Sequence, residues 1–281
     1  MKDKLAEGHV ARLEIKDSAG EVVKAFSTKP DRKKKESSLS PKEGMNTVTW
    51  DMRYEGAESF DGIVLWGGGT QGPMAVPGEY TATMTVGPAK KKDDDAEDGD
   101  EDSEGSSGSS AEVTFEIVKD PRASATQEDL QKQFDFLVGV RDKLTETHKA
   151  IKRLRDVRSQ IDALSKRLAG KDEYKELIAK GKSLVKKMTE VEKRLYQTKN
   201  RASQDPLNFP IRLNNRLSAL VSVVSSGDNP PTDQAYKVRD ELTALIDAEV
   251  KTLNEAMEEG IAEFNAAVKE ADIPAVFVDD E

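Results

Sequence analysis

Val113-Thr114-Phe115-Glu116-Ile117-Val118-Lys119-Asp120-Pro121-Arg122-Ala123-Ser124-Ala125-Thr126-Gln127-Glu128-Asp129-Leu130 carries the change on which the fold turns. Up to Ile117 apolar side chains fall at every second residue, the spacing that lines one face of a β-strand. Beyond Ala125 they recur every three or four residues, the spacing of a helix face. Between the two lies Asp120-Pro121-Arg122, where proline fixes its own φ and biases the preceding residue to extended backbone. The chain therefore divides near residue 122, into a strand-rich part over 1–122 and a helical part over 123–281.

Downstream, Thr126 followed by Glu128 and Asp129 supplies a hydroxyl cap and acids at the positive end of a helix. Leu130, Leu137, Leu144 and Ile151 recur every seven residues, partnered by Val140, Leu154, Ile161 and Leu168. Gly170 marks the end. A second helix over 172–199 places Tyr174, Gly181, Met188 and Leu195 at one heptad position and Leu177, Leu184 and Val191 at the other. Pro206 and Pro210 precede a shorter third helix with Leu213, Leu217, Leu220, Val221 and Val224 on its apolar side. Pro230-Pro231-Thr232-Asp233 opens a long fourth helix through Leu242, Leu245, Ile246, Val250, Leu253, Met257, Ile261, Phe264 and Val268. Short connections favour antiparallel neighbours, so the expectation is a coiled-coil-like four-helix bundle.

Upstream, Ala11, Leu13 and Ile15 alternate with charged residues, and Ser18-Ala19-Gly20 turns the chain into Val22 to Phe26, a hairpin. Val48, Trp50 and Met52 read as another strand with Trp50 on its core face, and Ile63-Val64-Leu65-Trp66 as a short apolar strand ended by Gly67-Gly68-Gly69. Tyr80, Ala82, Met84 and Val86, then Val113, Phe115 and Ile117, complete the set. Short strands punctuated by Gly and Pro argue for an antiparallel immunoglobulin-like β-sandwich, making the whole chain an α+β multidomain protein. Between the last two strands, about 89–111, nine carboxylates between Asp93 and Glu104 precede a Gly/Ser run, which reads as a disordered acidic hairpin tip. A calcium loop at Asp98, Asp100 and Asp102 is the sharper alternative, but the later glycine and glutamate of an EF-hand are not in place.

Only 36% of the 281 residues are hydrophobic and 34% are charged, which suits exposed helices with narrow seams better than a thick enzyme core. The net charge of -10 and the interleaving of bases with acids argue against nucleic acid as a partner. No window approaches the ~20 apolar residues that span a bilayer, so no membrane insertion is expected. Met1 to Glu7 has no apolar stretch after its lysines, and no secretory signal is expected there. Cysteine is absent, which excludes thiolate chemistry and disulfides. Two histidines, His9 and His148, lack metal-ligand spacing; His148 falls beside the seam, where a structural polar residue is the ordinary explanation. Asp51, Glu55, Glu58 and Asp61 are the carboxylates a glycosidase would use, yet turn hydrogen bonding accounts for acids in such a loop. No catalytic residue, cofactor or metal is therefore assigned.

Taken in order, Asn46 to Tyr54, Leu65 to Thr70, Gly72 to Tyr80 and Asp120-Pro121-Arg122 resemble the C-terminal region of large bacterial BNR-repeat, sortilin-like β-propeller proteins, often labelled glycosyl hydrolases. The strand part is also similar to the immunoglobulin-like domain of flagellar hook-capping proteins. The likeness spans roughly 11–160 and lacks the propeller repeats themselves, so the family's catalytic residues find no counterpart here. It implies a non-catalytic accessory module of an exported propeller protein, periplasmic or extracellular, contacting the upstream propeller or a second copy of itself. Phe134 and Phe136, which flank the seam, and Trp66 are the candidate interaction residues. The alternative is a glycoside-acting hydrolase or carbohydrate-binding module built around Trp66.

Overall fold

In the computed structural model, residues 5–31, 35–89 and 108–274 are described. Most of the acidic Gly/Ser segment and its calcium-loop alternative, within 90–107, lie outside them. The chain is α+β, with a five-stranded mixed sheet toward the N-terminus and four α-helices toward the C-terminus among the described residues. It forms two compact units, one of Met1–Gly56 with Gly72–Phe134, the other of Ala57–Gln71 with Asp135–Glu281. The division is thus not a single cut near residue 122, because a loop of the strand-rich part belongs to the helical unit.

In the first unit, β1 (His9–Lys16) and β2 (Val22–Ser27) form the anticipated hairpin. Asp17 makes its turn: Oδ1 accepts from the Ala19 and Glu21 N–H groups at 3.0 Å each. β3 (Ser37–Ser38) runs parallel to β2, and β4 (Gly78–Pro88) and β5 (Ser109–Ile117) add antiparallel strands, in the order β3-β2-β1-β4-β5. Ile15, Val23, Phe26, Ala75 and Tyr80 are buried on this sheet, with Trp50 and Phe115 packed against them. Trp50 is half-buried, its ring 5.9 Å from that of Tyr80.

Two anticipated strands do not form. Around Trp50 the chain turns, because Met52 takes a φ of 57°, Trp50 Nε1 donates to the Arg53 carbonyl and Asp51 Oδ1 accepts from the Arg53 N–H. Only an isolated bridge between Arg53 and Met74 remains of the pairing. Ile63 to Trp66 is irregular as well, since the Tyr196 hydroxyl and the Asn215 side-chain amide, rather than a neighbouring strand, meet its backbone.

The helices follow the heptads closely. α1 (Gln127–Arg167) starts at a reciprocal cap in which the Asp129 N–H donates to Thr126 Oγ1 and the Thr126 N–H to Asp129 Oδ2. Its first two turns belong to the first unit and the rest to the second. Gly170, at φ 87°, reverses the chain after it. Next come α2 (Lys175–Leu195), α3 (Leu213–Val224) and α4 (Asp233–Glu270), the last capped by Thr232 Oγ1 accepting from the Ala235 N–H. All seven anticipated seam positions of the second helix are buried, Tyr174 in the turn just before α2 and six within it, including Gly181, where a Cβ would lie 2.9 Å from both Ile161 and Phe264. Hydrogen there permits α2 to approach its neighbours closely. On α4, Leu245 is exposed rather than in the seam. α2 stops four residues short of the expected end, since Tyr196 adopts extended backbone and turns its hydroxyl to another task. No described helix is long and apolar enough to cross a membrane.

Candidate functional site

A backbone has two polar groups per residue, and where it is irregular and buried other groups must satisfy them. Residues 57–71 present this case inside the helical unit. The segment is closed at its base by the Ala57 N–H donating to the Thr70 carbonyl at 2.8 Å. Above the base, four helix-borne or helix-flanking side chains grip it. Thr145 Oγ1 on α1 accepts from the Glu58 N–H at 3.1 Å, and one turn on, His148 Nδ1 lies 2.5 Å from the Glu58 carbonyl. The Tyr196 hydroxyl donates to the Gly62 carbonyl and accepts from the Val64 N–H, at 3.1 and 3.2 Å. Asn215 on α3 takes Trp66 at both ends, Oδ1 accepting from its N–H and Nδ2 donating to its carbonyl, each at 2.8 Å.

Between these polar contacts Phe60 is the apolar anchor. It is buried edge-on against the His148 ring at 5.3 Å and the Tyr196 ring at 5.1 Å, with the Arg155 guanidinium 4.5 Å from its centroid. Gly68 comes so near α3 that a Cβ would stand 2.7 Å from the Ala219 nitrogen. The arrangement is that of a helical unit holding an irregular loop: backbone groups met by side chains, one aromatic residue in a pocket, and a glycine at the closest approach.

His148 has a defined state. A carbonyl can only accept, so Nδ1 carries the proton donated to Glu58, and Nε2 is left to accept from Asn214 Nδ2 at 3.2 Å. The neutral ring fits both partners. Burial lowers its pKa below the ordinary imidazole value, outweighing the Glu58 carbonyl, which acts the other way. Glu192, equally buried on α2, is held by Arg155 Nε at 2.7 Å and Arg158 Nη1 at 2.6 Å. The buried imidazole and the buried carboxylate are thus both engaged in holding structure.

The residues singled out from sequence are dispersed. Phe136 is 1% exposed, packed edge-on to Tyr236 at 5.1 Å and beneath the Arg239 guanidinium. Phe134, in the first unit, is half-buried with its ring 4.8 Å from that of Tyr54. Trp66 has its backbone fixed by Asn215 and its residue surface 40% exposed. Among the four carboxylates, Asp51 caps its turn, Glu55 pairs with Lys24 at 2.7 Å, Glu58 lies 3.8 Å from Lys152, and Asp61 is exposed. Thr145, Tyr196, Asn214 and Asn215 were not singled out. Asn214 and Asn215 are polar residues buried on α3, Tyr196 is buried just past the end of α2, and Thr145 is half-buried on α1, so polar residues beside the apolar seams were the signal. Comparison with known proteins returns no matching family model, curated protein or solved structure.

Proposed function

We propose that this chain is a non-catalytic accessory module that holds other protein, and that it accompanies an exported BNR-repeat, sortilin-like propeller outside the cytoplasm. The grip on residues 57–71 carries this reading. The helical unit already holds one irregular segment through its backbone groups and a single aromatic anchor, means by which modules also recognise polypeptide. The engagement of His148 and Glu192 in structural pairs favours holding over turnover. At the sheet edge, β5 exposes Val113 and its extension exposes Val118, an edge open to pairing with a partner strand.

The finer architecture belongs to the same proposal. The strand-rich unit is an immunoglobulin-like sandwich whose second layer is the irregular chain around Trp50, Tyr54 and Ala75. The Tyr80 hydroxyl, donating to the Val76 carbonyl at 2.8 Å at the start of β4, is a return contact of the tyrosine-corner kind. The helical unit is a coiled-coil-like antiparallel bundle, supported by its buried heptad positions.

The test mixes the purified chain with a purified sortilin-like propeller from the same genome and follows mass by light scattering during gel filtration. A defined complex is expected, with no hydrolysis of aryl glycosides. Glycoside turnover abolished by Asp51→Asn or Glu58→Gln would overturn the reading. Exposure of Trp66 favours carbohydrate binding as the second reading. Quenching of tryptophan emission by oligosaccharides, lost in Trp66→Ala, would establish it.

A further inference from the structure

Beside the Phe60 anchor the helical unit has a cleft of about 460 Å³, lined among others by Asp61, Arg155, Arg158, Glu192, Asn200 and Arg201. Asn200 is 2% exposed, and neither its Nδ2 nor its Oδ1 has a hydrogen-bond partner. Buried polar groups in folded proteins are almost always answered, so a buried side-chain amide with no partner on either atom, in a residue that lines a cleft, marks a place for a ligand group. It requires an acceptor and a donor side by side. Around it stand three guanidiniums and two carboxylates, which leave one positive charge.

The arginines are already oriented. Glu192 holds Arg155 through Nε and Arg158 through Nη1, and Arg155 is stacked on Phe60 and 5.5 Å from the Tyr196 centroid. Arg201 donates from Nη1 to the carbonyls of Thr198 and Asn200. A guanidinium fixed by a carboxylate on one side keeps a planar fork of donors for a second oxyanion on another. A single surplus charge suits a monoanion, whereas a phosphate group carries roughly -1.5 to -2 near neutrality and would overcharge a site that also contains Glu192.

We propose that this cleft binds a carboxylate joined to an amide, the chemistry of an N-acylated amino acid or of the carboxyl end of a peptide. Arg158, assisted by Arg201, takes the carboxylate. Asn200 pairs with the adjoining amide, Nδ2 donating to its carbonyl and Oδ1 accepting from its N–H. The cleft would take this ligand whether or not the chain accompanies a propeller.

Calorimetric titration of the whole chain with N-acetylglycine, N-acetylglycinamide and inorganic phosphate tests the chemistry. The free acid is expected to bind at least about tenfold more tightly than either of the others, a difference of about 1.4 kcal/mol. A peptide ending in Ala-Gly with a free carboxyl, against its amidated form, then identifies the source. Tighter binding than N-acetylglycine points to a peptide end, and equal binding to a small acylated amino acid. Asn200→Ala and Arg158→Lys are each expected to weaken the free acid at least about tenfold. Asn200→Ala should leave the thermal midpoint of the unliganded chain unchanged or higher, because it removes an unanswered amide. Equal binding of acid and amide, preference for phosphate, absence of binding, or variants that bind like the parent would overturn the proposal. The ligand comparison on the unaltered chain decides even if a variant fails to fold.

Discussion

Asn215 holds Trp66 by both ends of its peptide backbone, with Oδ1 on the N–H and Nδ2 on the carbonyl at 2.8 Å each, across 149 positions of sequence. The side-chain amide thus stands in for the neighbouring strand that the apolar run Ile63-Val64-Leu65-Trp66 suggests. Asn215→Leu keeps the volume and removes both bonds. The expected loss is about 1–3 kcal/mol, the scale of leaving buried polar groups unanswered. Urea denaturation measures it. Asn215→Asp keeps the acceptor for the Trp66 N–H but sets a negative charge against its carbonyl, and should fall no nearer the parent than Asn215→Leu.

What sequence reveals and what it hides divides along this contact. The helices were legible because burial imposes a period on residue type, so Met188, Val191 and Leu195 announce their face in advance. The grip on 57–71 was not, because Thr145, Tyr196 and Asn215 read backbone groups that every residue possesses. A short apolar run cannot be assigned by period alone, and here its backbone partners are Tyr196, just past one helix, and Asn215 on another. The Trp50 turn was hidden for a related reason: alternation is compatible with extended chain but does not demand it, and a positive φ at Met52 is enough to end it.

His148 makes stability depend on pH. Its folded pKa is depressed, chiefly by burial, so the unfolded chain binds a proton at higher pH than the folded one does. The contribution is complete above the ordinary imidazole value of about 6.5 and is lost as pH falls below it toward the folded pKa. Protonation would also set an Nε2–H against the Asn214 amide donor. The urea midpoint is therefore expected to fall between pH 7.5 and 5.5, before most carboxylates titrate. In His148→Gln, less stable throughout, that slope should largely vanish; an unchanged slope would show that another group is responsible.

Phe136 and Phe134 separate core from contact. Phe136→Ser removes a ring enclosed by Tyr236 and the Arg239 guanidinium, and about 3–5 kcal/mol of stability should go with it, visible as lost helicity on mild heating. Phe134→Ser removes a half-buried ring and its edge contact with Tyr54, so a smaller loss is expected, the ring contact itself contributing about 0.5–1.5 kcal/mol. If Phe134 also serves a partner, its variant will weaken association with a propeller while circular dichroism stays at the parental level. Matching losses of helicity in the two variants, with association unaltered, would leave both residues a purely structural role.

Gly68 and Gly69 offer a test of the grip in which the two changes are chemically identical. A methyl at Gly68 would stand 2.2 Å from Ser218 Oγ and 2.7 Å from backbone atoms of Ser218 and Ala219, on a helix that cannot yield locally. At Gly69 the nearest neighbour is the Gln71 nitrogen at 3.9 Å, ordinary contact. Gly68→Ala should therefore push the segment off α3, strain the Asn215 bonds to Trp66 and cost about 1–3 kcal/mol, the usual scale of overpacking. Gly69→Ala should lie within about 0.5 kcal/mol of the parent. Hydrogen exchange at the Trp66 and Val64 amides gives the local reading: faster in Gly68→Ala alone. Equal exchange in the two variants would mean that the approach of Gly68 to α3 does not hold the segment, and that Phe60 and Tyr196 suffice.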